Sequence, residues 1–254
     1  MIQTLCHVSS IEHIRSNIYV MGFGSSEIAS SSMAGQFVNI KVNETYQPLF
    51  RRPFSIYHIE GENVKIIFQV FGQGTKALIQ KQLSEKIDVI GPLGRGYNVR
   101  DDFETALLVG GGLGVAPLPI LTNQLRTKRI VTFLGGRTKE QILPTYLENV
   151  QIATDDGSAG YKGTVVDLLE KYLVQEQVVK PKIFACGPNV MLKVLGKLAA
   201  KRSIPCEVSL ETVMACGIGI CQGCPVERTD GRKKYSLVCK EGPVFDVQSV
   251  VFPL

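Results

Sequence analysis

Nothing at the start of the chain pairs a basic region with an apolar run. MIQTLCHVSSIEH is mixed in polarity, so no secretory leader is expected. Low-complexity tracts, internal repeats and charged tails are also missing, which argues against disordered, collagen-like and coiled-coil classes. Charge is nearly balanced, with 28 Lys and Arg against 23 Asp and Glu, a net +5 over 254 residues. That excess is compatible with an anionic cofactor or an acidic partner. It forms no dense basic stripe interleaved with aromatics, and no nucleic-acid partner is expected. One long uncharged run does exist, from Thr105 to Leu125. Gly110, Gly111, Gly112 and Gly114 lie inside it, and Pro117 and Pro119 follow. It therefore reads as a strand, a glycine turn and a helix start, and the chain is expected to be soluble and cytoplasmic with no membrane insertion. The seven cysteines are an odd number, unevenly placed, which does not suit a secreted disulfide framework.

What is present is a 44% hydrophobic chain long enough to bury a proper core. The first hundred residues read as mostly strand, with segments at Gln36 to Val42, Phe54 to Ile59, Asn63 to Phe71 and Lys86 to Ile90. A small antiparallel barrel is expected, interrupted by a helix from about Thr75 to Leu83. From Thr105 the rhythm changes to apolar strands alternating with helical patterns, the signature of a parallel sheet with crossover helices. Strands are expected at Ala106 to Val109, Ile130 to Leu134, Val150 to Ala153, Ile183 to Ala185 and, last, Glu207 to Leu210. Helices are expected from about Val115, near Lys139 to Leu147, near Val165 to Leu173, and from about Asn189 to Lys201. Beyond Glu211 the composition shifts to glycine and cysteine, and a third, small unit begins.

The strongest motif is Cys216-x4-Cys221-x2-Cys224-x14-Cys239, embedded as CGIGICQGC. Four thiolates hold a [2Fe–2S] cluster, and x4 then x2 with a distant fourth cysteine is the plant-type ferredoxin spacing. Gly217, Gly219 and Gly223 would let backbone N–H groups approach the cluster sulfurs closely. Structural zinc is the competing reading, although its ligands usually come as two short-spaced pairs. Cys186 and Cys206 read as small core residues.

Several strand-to-helix turns could hold phosphates. Gly110-Gly111-Gly112-Leu113-Gly114 places N–H groups at a helix start, where a pyrophosphate can sit, though such turns also serve packing alone. Cys186-Gly187-Pro188 makes a second such turn, at the far end of the same sheet, and the two would face one crevice. Asp155 and Asp156 could accept hydrogen bonds from ribose hydroxyls and repel a 2′-phosphate, favouring NAD over NADP; equally, Asp-Asp-Gly-Ser is an ordinary turn. Arg137 and Lys139 leave NADP open. In the barrel, Arg51-Arg52-Pro53-Phe54-Ser55 offers a guanidinium for phosphate and a hydroxyl for a flavin ring, or else a strand opening with solvated arginines. Phe71-Gly72-Gln73-Gly74-Thr75 is another turn suited to pyrophosphate.

Together RPFS, GQGT, GPLG, GGGLGVAP and CGPNVM resemble, in order and over the whole chain, the ferredoxin-reductase superfamily. SLETVMACGIGICQGC, ATDDGSAGYKG and RRPFSIY resemble more narrowly the electron-transfer subunits of type B dihydroorotate dehydrogenases. The resemblance implies an antiparallel β-barrel flavin domain (1–100), an α/β parallel-sheet nucleotide domain for NAD (101–210) and a small C-terminal [2Fe–2S] cysteine-loop domain (211–254). It assigns FAD to Arg52, Pro53, Phe54, Ser55, Gln69, Val70, Phe71, Gly74 and Thr75, and NAD(H) to Gly110 through Gly114, Cys186, Gly187 and Pro188. Phe54 departs from the smaller aliphatic or tyrosine expected of relatives. The implied partner is a separate FMN-containing dihydroorotate dehydrogenase catalytic subunit, in a heterotetramer of two of each, working in pyrimidine biosynthesis. No acid–base residue is expected to be essential. The small subunit of an NADH-dependent ferredoxin:NADP oxidoreductase is the nearest alternative, and a zinc-bearing scaffold the alternative from another class. A mixed docking face is expected near Met214, Ile218 and Ile220, unless those side chains pack inward.

Overall fold

In a computed structural model of the chain, residues 1–252 except Tyr46 and Arg232 are described. The first part runs β1 (Ile2–Arg15), β2 (Ile18–Gly24), α1 (Ser26–Ser31), β3 (Phe37–Lys41), β4 (Arg52–Glu60), β5 (Asn63–Gln69), α2 (Gln73–Ile79) and β6 (Lys86–Leu93). Its strands close into a barrel in the order β1-β2-β5-β4-β3-β6, each neighbour antiparallel. Strand chemistry explains the closure. In β5, Val64, Ile66 and Phe68 are buried on the inward face, Asn63 and Lys65 on the other face are only half-buried, and Ile67 alone breaks the period of two by being buried as well. The helix α2 starts two residues earlier than the sequence suggests, because Thr75 Oγ1 accepts the N–H groups of Phe71 and Gly72 at 3.0 and 3.2 Å and so caps the turn.

The second part runs β7 (Thr105–Gly111), α3 (Leu118–Gln124), β8 (Arg129–Gly136), β9 (Val150–Thr154), β10 (Tyr161–Lys162), α4 (Val165–Gln175), β11 (Pro181–Cys186), α5 (Asn189–Arg202) and β12 (Cys206–Ser209). These strands lie parallel in the order β10-β9-β8-β7-β11-β12. Alternation along β7 divides the interior. Ala106 and Leu108 join the core shared with the barrel, whereas Leu107 and Val109 join a second core with Leu169 of α4, Leu192 of α5, and Cys224 and Cys239. The link between the two parts is pinned by Lys182, 2% exposed, which pairs with Asp101 and Glu207 and donates to Asn98 O at 2.8 Å.

Two expectations are corrected. The segment from Lys139 to Leu147 is not a helix: a single 3-10 turn spans Lys139–Gln141, and the chain then runs irregularly. Pro144 is the cause, since it has no N–H to donate and keeps the residue before it out of helical conformation. Nor is Cys206–Ser209 the last strand of the sheet. After β13 (Pro225–Glu227), β14 (Tyr235–Leu237) and α6 (Val238–Glu241), β15 (Val244–Asp246) returns and pairs antiparallel with β12. Among the described residues no helix is long and apolar enough to cross a membrane.

Candidate functional site

The barrel and the sheet meet at a cleft of about 320 Å³. One wall is the barrel: Pro53, Phe54 and Ser55 on β4, Gln69 at the end of β5, and Thr75 in α2. The opposite wall is the sheet: Leu113 after β7, Cys186 ending β11, Ser209 ending β12, and Glu211, Thr212 and Met214 following it. Ser209, Glu211, Thr212 and Met214 went unassigned as site residues from the sequence. Their signal was available, since a segment leaving the C-terminal end of a parallel strand enters the same crevice as its neighbours. Cys186 is 3% exposed, and burial, reinforced by Glu211, pushes its thiol well above the ordinary range. It therefore faces the cleft as a neutral, compact sulfur. Burial likewise raises the Glu211 carboxyl. Behind them, the Tyr97 hydroxyl donates to Ala185 O at 2.8 Å and braces the end of β11.

Arg51 and Arg52 have different fates. Arg51 is tied across the barrel to Asp88, 2.6 Å between Nη2 and Oδ2. The Arg52 guanidinium donates to Phe50 O at 2.7 Å and lies over Gly74, where an added Cβ would stand 3.0 Å from Nε. A cation is thus laid on the first turn of α2, with glycine leaving the space for it, and this is a fit for a diphosphate. Val70 is anchored by its N–H to Asn17 O at 2.7 Å, and Phe71, 92% exposed, turns its ring to solvent.

The two glycine turns are next to each other, not at opposite ends of the sheet. Gly110 pairs in register with Cys186 because β11 lies beside β7. From β7 the chain winds outward through β8, β9 and β10, then crosses back to β11, so the turns flank a topological switch point. They touch: a Cβ on Gly114 would lie 2.2 Å from Cys186 O, and one on Gly111 2.9 Å from Pro188 Cδ. Gly112 adopts φ +55°, in the left-handed region that favours glycine. Asp155 and Asp156 follow β9, two strands from β7, outside the cleft. The Asp156 carboxylate accepts from Ser158 N at 2.9 Å, and hydrogen bonds from Ser158 hold it below the usual range.

The cysteine loop joins β12 to β13. Gly217 and Gly219 take φ +71° and +87°, letting the chain fold back so that the N–H groups of Ile218 and Cys221 point at Cys216 Sγ at 3.5 and 3.4 Å. Against the burial that would raise it, these donors bring Cys216 down to about 6. Between Cys224 and Cys239, β13 and β14 pair antiparallel, which returns Cys239 N–H to Cys224 Sγ at 3.4 Å. The thiols also meet side chain to side chain as two pairs, Cys216 with Cys221 and Cys224 with Cys239. Among the described residues no three His, Cys, Asp or Glu side chains gather about one ion position. Two pairs of thiols fit a two-iron cluster better than the single tetrahedron of structural zinc. Ile220 is 75% exposed beside the exposed Cys221, whereas Met214 and Ile218 pack inward against the second core.

Residues 211–251 match the family described as the iron-sulfur cluster binding domain of dihydroorotate dehydrogenase B. Over about 255 residues the chain is 40% identical to the dihydroorotate dehydrogenase B (NAD(+)) electron transfer subunit of Bacillus pumilus, covering 96% of each chain. It is 35% identical to the same subunit of Desulforamulus reducens, covering 96% of this chain and 97% of that one. Among solved structures, a chain of the NADH-dependent reduced ferredoxin-NADP oxidoreductase structure superposes with a TM-score of 0.86 at 27% identity, covering 98% of this chain and 90% of that one. The paired thiols, the cleft at the switch point and this near full-length identity converge: the chain belongs to the family of dihydroorotate dehydrogenase B electron transfer subunits.

Proposed function

We propose that this chain carries electrons between NAD(H) and an FMN-containing dihydroorotate dehydrogenase catalytic subunit, through FAD in the cleft and a [2Fe–2S] cluster in the cysteine loop. The observation that carries the reading is one of place: the barrel motif, both glycine turns and the segment leading into the cysteines meet at a single cleft. Bound there, FAD would exchange a hydride with the nicotinamide and single electrons with the cluster. The chain's own residues bind and orient. Arg52, with Gly74 and Thr75, would hold the FAD diphosphate; Pro53, Phe54, Ser55 and Gln69 would line the flavin ring, with Val70 and Phe71 at its border. Gly110 to Gly114 and Cys186 to Pro188 would seat the nicotinamide nucleotide, and Cys186, being neutral, leaves the hydride path free of charge. Asp155 and Asp156 would face the adenosine ribose. Cys216, Cys221, Cys224 and Cys239 would ligate the two irons.

The exposed Ile220, Val213 and Cys221 give the loop a mixed surface suited to the catalytic subunit, in the expected assembly of two of each. The other three cysteines, Cys6, Cys186 and Cys206, are buried without a disulfide, which supports a reducing compartment, the cytoplasm. Identity of 35–40% to the dihydroorotate-linked relatives, against 27% to the ferredoxin-linked structure, favours the orotate system. The test is reconstitution. The purified chain should show flavin and iron–sulfur absorption and reduce dyes with NADH while leaving dihydroorotate untouched, and adding the FMN subunit should couple NAD to orotate formation. Dihydroorotate oxidation by this chain alone at the complex's rate would overturn the reading.

A further inference from the structure

Asn39 is a polar side chain in the wall of the barrel that neither the cleft nor the cysteine ligands account for. It is fully buried in β3, paired in register with Pro53 of β4 on one side and Ile90 of β6 on the other. Its Nδ2 donates to the carbonyl oxygen of Cys216 at 3.0 Å. Gly217 approaches it so closely that a Cβ there would lie 2.6 Å from Nδ2. Its Oδ1 is buried and has no hydrogen-bond partner among the described residues. An apolar residue of similar size would avoid burying that half-satisfied amide. What the amide alone supplies is a donor to the backbone of the first cluster cysteine.

We propose that Asn39 is a positioning residue for electron transfer: by tying the Cys216 carbonyl and the Gly217 turn to β3, it fixes the Cys216 sulfur relative to the flavin motif on the adjacent strand. The inference rests on reading the cleft and the loop as FAD and [2Fe–2S] sites. Two quantities depend on the tie. The first is the aim of the Ile218 and Cys221 N–H groups at Cys216 Sγ, since hydrogen bonds to sulfur tune a cluster's potential. The second is the separation that flavin and cluster would have, since β3 lines the cleft through Phe37 and holds the cysteine loop through Asn39. An outer partner that orients a metal ligand in this way typically matters by about 10–100-fold.

The test uses the full chain with its cofactors and two variants that remove the donor, Asn39→Leu and Asn39→Asp. In the parent, FAD and iron content are measured first, with the electron paramagnetic resonance spectrum of the reduced cluster. A parent without flavin or cluster overturns the cofactor reading and this inference with it. With both present, at least one variant should keep FAD and iron, show a changed cluster spectrum and midpoint potential, and reduce its cluster about tenfold more slowly after mixing with NADH. Flavin reduction by NADH should be unchanged. A cluster spectrum, potential and reduction rate equal to the parent's would overturn the role of Asn39 alone. Joint loss of FAD, iron and thermal stability in both variants would also overturn it, by making Asn39 a residue of barrel folding.

Discussion

Gly114→Ala asks whether the two glycine turns form a nucleotide seat or merely pack. The added Cβ would lie 2.2 Å from the Cys186 carbonyl oxygen and 2.5 Å from its carbon. Non-bonded heavy atoms settle at roughly 3.5 Å or more, so the turns must part by about 1 Å. Overpacking of this kind costs about 1–3 kcal/mol. At about 2–4 °C per kcal/mol for a chain of this size, the melting temperature should fall by roughly 2–12 °C. The effect on turnover should be larger, because displacing a positioning element by about 1 Å can cost up to about 100-fold. Dye reduction by NADH measures it: kcat/KM for NADH should drop about 10–100-fold while FAD and iron content hold. Gly24→Ala is the control, since a Cβ there meets nothing within 4 Å. A folded Gly114→Ala protein with lowered melting temperature and kcat/KM within about twofold of the parent would show that the turns serve packing only.

Serine in place of Cys216, Cys221, Cys224 or Cys239 should abolish the cluster's visible absorption, whereas Cys6→Ser should not; full iron content in Cys221→Ser would refute the ligand set. Arg52→Ala should lower FAD occupancy on purification, and an unchanged flavin-to-protein ratio with unchanged affinity would make Arg52 an ordinary surface cation. NADH should be preferred to NADPH in kcat/KM, and Asp155→Ala with Asp156→Ala should narrow the gap; a preference for NADPH in the parent would move attention to Arg137 and Lys139.

The features legible in the sequence were those whose chemistry is local. The cysteine spacing and its glycines mark a loop that needs positive φ, and Gly217 and Gly219 supply it. Strands such as Asn63–Gln69 showed through because they are short and rich in Val, Ile and Phe, with Val64, Ile66 and Phe68 on one buried face. Contacts set by topology were not legible. The CGPN turn joins the GGGLG turn only because the chain crosses back from β10, and Glu211 reaches the cleft only because β12 lies beside β11. The spacing of Ile142, Leu143 and Leu147 imitated a helix that Pro144 forbids. The hairpin between Cys224 and Cys239 leaves no signature in the sequence because its strands are three residues each, too short to show a period.

β15 lies beyond the cysteines in the chain yet forms the outer edge of the nucleotide sheet. The iron-bearing segment is therefore not a cassette that a gene could gain or shed by recombination at one point. A chain ending after Leu210 would leave β12 with a bare row of backbone amides, an invitation to other strands and to proteases. During synthesis that edge is covered only after the ribosome has passed Cys216, Cys221, Cys224 and Cys239. A truncated product thus carries its own mark of incompleteness, and surveillance of the fold is also surveillance of the cysteine loop.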